Sequence, residues 1–186
     1  KPRLETNFNL DYKNYQRFYL KCKSCNHIFS QHNYDLNKIY TDLYIKSTYN
    51  NFKELHKKYL HIMSLPRKLS DNKNRVLRIN NFANKNNINR NKLLDIGAGI
   101  GVFGKSMKNK GWDVYAVETD KSLVEYLKKI GLNSILIKKS NELIIKKIKF
   151  DLIVFNKVLE HIEKPSLYLK YIKQFLKKNG LIYIEV

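Results

Sequence analysis

The stretch Lys92-Leu-Leu-Asp95-Ile-Gly97-Ala98-Gly99-Ile-Gly101-Val-Phe-Gly104 decides the fold. A short apolar run ends in Asp95, and glycines follow at 97, 99, 101 and 104, with Lys105 to Lys110 continuing as helix. Glycines crowded at a strand-to-helix turn let the backbone approach a ligand closely, and the first helical turn offers free N–H groups. Nineteen residues beyond Gly99, a second run from Trp112 to Val117 ends in Glu118. That acid stands where a carboxylate accepts hydrogen bonds from ribose hydroxyls in a nucleotide-binding β-α-β unit. The two runs predict a nucleotide-like cofactor site. Glycines serving only a tight turn would leave the two strand-end acids unexplained.

Gly99-x-Gly101-x-x-Gly104 also fits the dinucleotide fingerprint, a weak match by itself. Asp95 tips the balance, because a carboxylate there repels a pyrophosphate and suits a ligand carrying an ammonium group. On these residues the chain resembles the class I S-adenosylmethionine-dependent methyltransferases, whose first motif is an acid followed by spaced glycines. A second anchor is Val158-Leu-Glu-His161, which is similar to the segment after the fourth strand in many small-molecule methyltransferases. The resemblance covers residues 92–186.

Composition sets the outer bounds. With 186 residues, 43% hydrophobic content and 13 tyrosines, the chain can bury a real core and is not broadly disordered. No apolar run reaches the length of a membrane span and no signal-peptide pattern occurs, so the expectation is a soluble, cytoplasmic protein without a membrane partner. A formal charge of +20 invites a nucleic-acid reading. The lysines, however, are scattered over helices, as at Lys128-Lys129, Lys146-Lys147 and Lys177-Lys178, and no arginine-rich block occurs. Solvated faces are the favoured reading, with a nucleic-acid partner left open.

Three segments follow from the chain in order. Residues 1–50 hold Cys22-Lys-Ser-Cys25, which places two thiolates where one metal can hold both, in the manner of a zinc-ribbon knuckle. Four ligands are the norm, so either His27 and His32 complete the set or, as the resemblance implies, a further Cys-x-x-Cys lies upstream. A redox pair and two incidental cysteines are the other readings. Residues 51–91 form a helical pre-domain and linker. Phe52, Leu55, Tyr59, Ile62 and Met63 recur at helical spacing up to Pro66, and Ser70-Asp71 caps a second helix carrying Val76, Ile79, Phe82 and Ala83. The segment from Leu65 to Arg75 resembles a recurring pre-domain element of methyltransferases with such a ribbon, whose polar residues approach the cofactor or substrate. Asn84 to Asn91 reads as a polar linker.

Residues 92–186 form the cofactor domain. Further elements are a helix from Lys121 to Ile130, strands at Asn133–Ile137 and Phe150–Phe155, a helix from Ser166 to Lys178 closed by Asn179-Gly180, and a strand from Leu181 to Val186. Short apolar strands alternating with helices predict an α/β, Rossmann-like doubly wound parallel sheet with a small N-terminal zinc-ribbon-like and helical appendage. Residue 1 is not Met, and family members continue past the last strand into a helix and two more strands. The chain therefore reads as truncated at both ends, with an incomplete domain and an open apolar edge.

The resemblance implies S-adenosylmethionine as cofactor and methyl transfer to a small-molecule substrate, a nucleotide-linked sugar or related metabolite being the leading class. In it a substrate nucleophile attacks the sulfonium methyl in line. Asp95 and the backbone of Gly97 and Gly99 are expected to hold the amino-acid part and Glu118 the ribose, with Ala98, Gly101 and Thr119 completing the loop set. Ser140 or Asn141 would meet the adenine, although the usual acid of that region is absent. Asn156 and Lys157 border the methyl-donor end. His161 stands as the candidate general base with Glu160 orienting it, or both merely brace the helix that follows. Cys22 and Cys25 are the candidate zinc ligands. The other classes left open are a nucleic-acid-binding or RNA-modifying protein and a catalytically silent cofactor-binding scaffold.

Overall fold

The computed structural model describes residues 16–33, 51–88, 91–137 and 148–186. A hairpin of β1 (Arg17–Lys21) and β2 (Ile28–His32) comes first, followed by helices α1 (Phe52–Ser64) and α2 (Asp71–Lys85). Then come β3 (Lys92–Ile96), α3 (Val102–Lys108), β4 (Asp113–Glu118), α4 (Lys121–Lys129) and β5 (Asn133–Leu136). The described chain closes with β6 (Phe150–Asn156), α5 (Pro165–Lys173) and β7 (Leu176–Glu185). The cap predicted at Ser70 is observed, and two further side chains cap helices in the same way. Asn51 Oδ1 accepts from Glu54 N at 3.0 Å, Ser70 Oγ from Lys73 N at 3.1 Å, and Asp120 Oδ1 from Ser122 N at 2.7 Å.

The sheet runs in the order β5-β4-β3-β6-β7, and every pair is parallel. The strands step outward from β3 to β5 and then return to β6 on the other side of β3. A reversal of this kind leaves a crevice at the carboxyl ends of the two strands, β3 and β6. The predicted Rossmann-like parallel sheet is the fold observed. One face carries α2 and α3, with Val76, Ile79, Phe103 and Met107 buried against Leu93, Ala116, Leu152 and Val154. The other face carries α5, through Tyr168 and Ile172 against Leu94, Ile96, Ile153 and Phe155. Burial on both faces explains why these strands read as continuous apolar runs.

Both pre-domain helices join this core. Asn80 of α2, itself buried, donates to the Val76 carbonyl at 2.8 Å and accepts from the Trp112 indole N–H at 3.1 Å. Leu55 and Tyr59 of α1 pack on Ile100, Val102, Leu123 and Tyr126, directly over the glycine turn. The polar linker is correspondingly shorter than expected, since α2 extends to Lys85.

The end of the chain corrects the sequence reading. The helix predicted from Ser166 to Lys178 ends at Lys173, and Leu176–Lys178 is strand. Leu176 pairs with Phe150, and Lys177 Nζ reaches both oxygens of buried Asp151, at 3.0 and 2.9 Å. Asn179-Gly180 therefore ends no helix. It lies in an irregularity between the Leu176 and Leu181 pairings, where a Cβ on Gly180 would sit 2.8 Å from the Phe150 carbonyl oxygen. Among the described residues no helix is long and apolar enough to cross a membrane.

Asn80→Ala is expected to leave the buried Trp112 N–H without an acceptor and to cost about 1–3 kcal/mol. Urea melts check this, and an unchanged midpoint would show that α2 is docked by its apolar residues alone.

Candidate functional site

Parallel register fixes which side chains share a face. Asp95 stands level with Ala116 on β4 and with Val154 on β6, which is level with Tyr183 on β7. One layer nearer the carboxyl ends, Asn156 pairs with Glu185, while Glu118 closes β4 and Gly97 follows β3. Two residues along a strand return to the same face, so this outer row lies on the face bearing α2 and α3. The crevice is lined there by an acid, a glycine turn, an amide and a second acid, with Asp95 in the layer beneath.

Asp95 is buried, 1% exposed, and its Oδ2 has no hydrogen-bond partner among the described residues. Burial pushes its pKa up to about 8; the neighbouring Glu118 adds to the rise and the positive charge of Arg75 opposes it. Asn156 is in a similar position, because both its Oδ1 and its Nδ2 are buried and unpartnered. Buried polar atoms without partners among the described residues are rare, and three of them lie at the carboxyl ends of β3 and β6.

Glu118 closes the other side. Its Oε1 accepts the Gly99 N–H at 2.5 Å and its Oε2 the Thr119 N–H at 3.1 Å. Burial raises its pKa, and these two backbone N–H groups work against the rise. The loop is held from below by Gly97 N and Ala98 N, which donate to the Val117 carbonyl at 2.9 and 3.1 Å, and Gly101 N donates to the Ala98 carbonyl at 3.0 Å. Gly97 and Gly101 have φ of +67° and +74°, and a Cβ would meet Val158 Cγ2 at 2.6 Å or Leu127 Cδ2 at 2.5 Å. At Gly99 a Cβ would find nothing within 4 Å, so open space lies in front of the loop there.

Arg75 reaches the same edge from α2. Its Nη2 and Nε donate to Glu185 Oε1 and Oε2 at 2.5 and 3.0 Å, and its side chain is only 11% exposed. This pair was missed in the sequence, where its members stand 110 residues apart and no local pattern links them.

Other expected residues are less gathered. Asn156 and Lys157 leave β6 as predicted, and Lys157 holds φ of +58° while donating its N–H to the Glu185 carbonyl at 2.7 Å. Glu160 and His161 are exposed on a short 3-10 turn, Leu159–His161, ahead of α5, with the His161 N–H on the Val158 carbonyl. Ser140 and Asn141 lie outside the described residues. Cys22 and Cys25 occupy the turn of the first hairpin, where Cys22 N donates to the His27 carbonyl at 2.8 Å and Asn26 adopts φ of +59°. The backbone N–H of Cys25, then that of Ser24, lowers the Cys22 pKa. Among the described residues no three His, Cys, Asp or Glu side chains gather as a metal site, so His27 and His32 do not complete the set.

A family model described as a methyltransferase domain matches residues 59–186. The ubiquinone biosynthesis O-methyltransferase of Pelagibacter ubique is 33% identical over 97 residues, half of this chain and 40% of that protein. The chain spans under half the length of the curated relatives it matches. Among solved structures, an S-adenosylmethionine-dependent methyltransferase from Clostridium acetobutylicum superposes with a TM-score of 0.57 at 23% identity, over 69% of this chain and 56% of that one. A TehB-like S-adenosylmethionine-dependent methyltransferase from Corynebacterium glutamicum gives 0.53 at 23% identity, over 72% and 73%. At this identity the likeness is one of fold.

The Asp95 environment generates a stability prediction with a definite sign. Its folded-state pKa lies above the ordinary carboxylate value, so between about pH 4 and pH 8 the unfolded chain releases a proton that the fold retains. Stability therefore falls as pH rises through that window. Asp95→Asn is expected to melt above the parent, the gap widening from pH 5 to pH 8. A gap that does not change with pH would show Asp95 to be ionised in the resting fold.

Proposed function

The chain belongs to the methyltransferase domain family, and from that premise we propose that it binds S-adenosylmethionine and transfers its methyl group to a small-molecule acceptor. The observation that carries this is the buried Asp95 Oδ2, unpartnered among the described residues, in the layer beneath the glycine turn, with Glu118 closing β4 in the layer above and open space before Gly99. These residues fit the cofactor by chemistry. Asp95 is an acceptor for an ammonium, and the nearby Arg75 guanidinium is a donor set for a carboxylate; an α-amino acid presents both. Glu118 offers acceptor oxygens to a ribose diol. Asn156 brings an amide donor and acceptor to the middle of the crevice, where the reacting groups meet.

When bound, the cofactor supplies an electrophilic methyl group on a sulfonium. The chain then has to orient the acceptor and take up any proton it sheds. His161 Nδ1 or Nε2 is the proposed proton acceptor, Glu160 its orienting partner, and the 3-10 turn places both just beyond the Asn156 exit. For the acceptor we favour a nucleotide-linked sugar, on the likeness of the Cys-x-x-Cys segment to the ribbons of such methyltransferases. A hydroxylated small molecule of another kind is the alternative suggested by the relatives named for ubiquinone biosynthesis. Labelled-cofactor assays on both acceptor panels separate the two.

Calorimetry is expected to detect S-adenosylmethionine and S-adenosylhomocysteine but not NAD. Asp95→Ala should weaken binding by about 1.5–3 kcal/mol, the worth of a hydrogen bond to a charged group. Because Asp95 must ionise to meet an ammonium, parent affinity should rise with pH up to about 8 and then level off. Tight NAD binding with no response to S-adenosylmethionine would overturn the reading.

We also propose that Cys22 and Cys25 supply two ligands of a structural zinc. The turn presents both thiols at one end of the hairpin, and backbone N–H groups favour the Cys22 thiolate. Added zinc should shield both thiols from a disulfide reagent, and Cys25→Ser should remove the protection at Cys22. Free reaction of both thiols at saturating zinc would dismiss the site.

A further inference from the structure

The row of side chains at the carboxyl edge ends in a charge cluster around Arg75, whose other members the proposed chemistry leaves without a role. Glu185 closes β7, and its carboxylate accepts from Arg75 Nη2 at 2.5 Å, Arg75 Nε at 3.0 Å, Tyr183 Oη at 2.9 Å and Arg78 Nη2 at 3.1 Å. Two-pronged contact between a guanidinium and a carboxylate fixes the plane of the guanidinium as well as its place. Tyr183 and Arg78 in turn keep the carboxylate from rotating. The backbone is pinned as well, since the Lys157 N–H donates to the Glu185 carbonyl and so ties β7 to the exit of β6. Asp71 accepts from Arg75 Nη2 at 2.6 Å, but it is 73% exposed and holds the guanidinium only weakly. Arg75 Nη1 makes no hydrogen bond with any described residue.

We propose that Glu185 is a positioning residue: it holds Arg75 in place so that the free edge of the guanidinium receives the carboxylate of the cofactor's amino-acid part. The inference rests on the cofactor reading above and adds to it how the cationic half of the subsite is built. Register places the cluster where such a role requires it, because Glu185 is level with Asn156 and one layer above Asp95. An arginine has many rotamers, and ordering it before the ligand arrives removes that entropic cost from binding. A pair needed for stability alone would be served as well by apolar side chains of similar volume, as buried ion pairs often are. Here the pair sits at the mouth of the crevice, and the charge of Arg75 is felt at Asp95.

Titration calorimetry with two probes tests this: S-adenosylhomocysteine, which carries the amino-acid part, and methylthioadenosine, which lacks it. Glu185→Gln keeps the size of the side chain but puts an amide N–H against the guanidinium. It should lose roughly tenfold in affinity for S-adenosylhomocysteine and under about twofold for methylthioadenosine. Glu185→Asp should recover part of the loss. Tyr183→Phe, which removes a single supporting hydrogen bond and spares the charge, should show a smaller loss confined to the same probe. Equal losses for the two probes, or none, in the Tyr183 and Glu185 variants would overturn the positioning role while leaving the cofactor reading intact. A parent protein that binds neither probe would overturn the cofactor reading itself, and this inference with it.

Discussion

A carboxyl group buried near the end of the central strand, one of its oxygens unpartnered among the described residues, is the constraint on which this structure turns. Asp95 is enclosed on three sides by β4, β6 and the glycine turn, and its Oδ2 stands 3.4 Å from where a Cβ on Gly104 would be. Burial of an acid with no donor is costly, and the fold tolerates it by keeping the proton on at neutral pH. The surrounding core has to be strong enough to carry that cost. It is supplied by apolar strands covered on both faces and by two extra helices, α1 and α2, docked on the same side as the acid.

The glycine turn and Glu118 form one unit around this point. Glu118 holds the Gly99 N–H, and the carbonyl of Val117, its neighbour, holds those of Gly97 and Ala98. The end of β4 therefore shapes the loop that follows β3. Three donors of the loop are thus accounted for within the protein, leaving the open space before Gly99 as the place where something else fits. Burial and, after it, the negative charge of Glu118 both oppose ionisation of Asp95, and a cation bound beside the two acids would offset both. An ammonium-bearing nucleoside meets both demands, whereas a pyrophosphate meets neither.

The parts of this arrangement legible in the sequence are those coded by near neighbours. Spaced glycines after an apolar run, an acid closing the next run, and Ser70 at a helix start are patterns of a few residues, and each is found where it was expected. The end of α5 was not legible, because Leu176–Lys178 continues a helical pattern and Asn179-Gly180 is an ordinary helix stop. Pairing of Leu176 with Phe150 and of Lys177 with Asp151 overrides both signals. The partnership of Arg75 with Glu185 was hidden for a related reason. Arg75 closes the Leu65 to Arg75 segment and Glu185 lies in the last apolar strand, no local pattern links the two, and only the crossing of α2 over the sheet brings them together.

That crossing also gives the pre-domain helices a role beyond extending the core. α2 delivers Arg75 to the carboxyl edge while Asn80, a little over one turn further on, anchors the same helix to Trp112 and Met107. α1 lays Leu55 and Tyr59 over Ile100, the residue next to Gly99, and hydrogen-bonds His56 Nδ1 to Tyr126 Oη at 2.9 Å. The two helices thus bound the crevice from the face that the strands leave open. A bare sheet with a glycine turn offers acceptors for an ammonium and a ribose but no fixed cation. The helical segment ahead of the sheet brings the Arg75 cation to that edge and Glu185 of β7 holds it, so in the proposed site the cationic part is assembled from residues 110 positions apart.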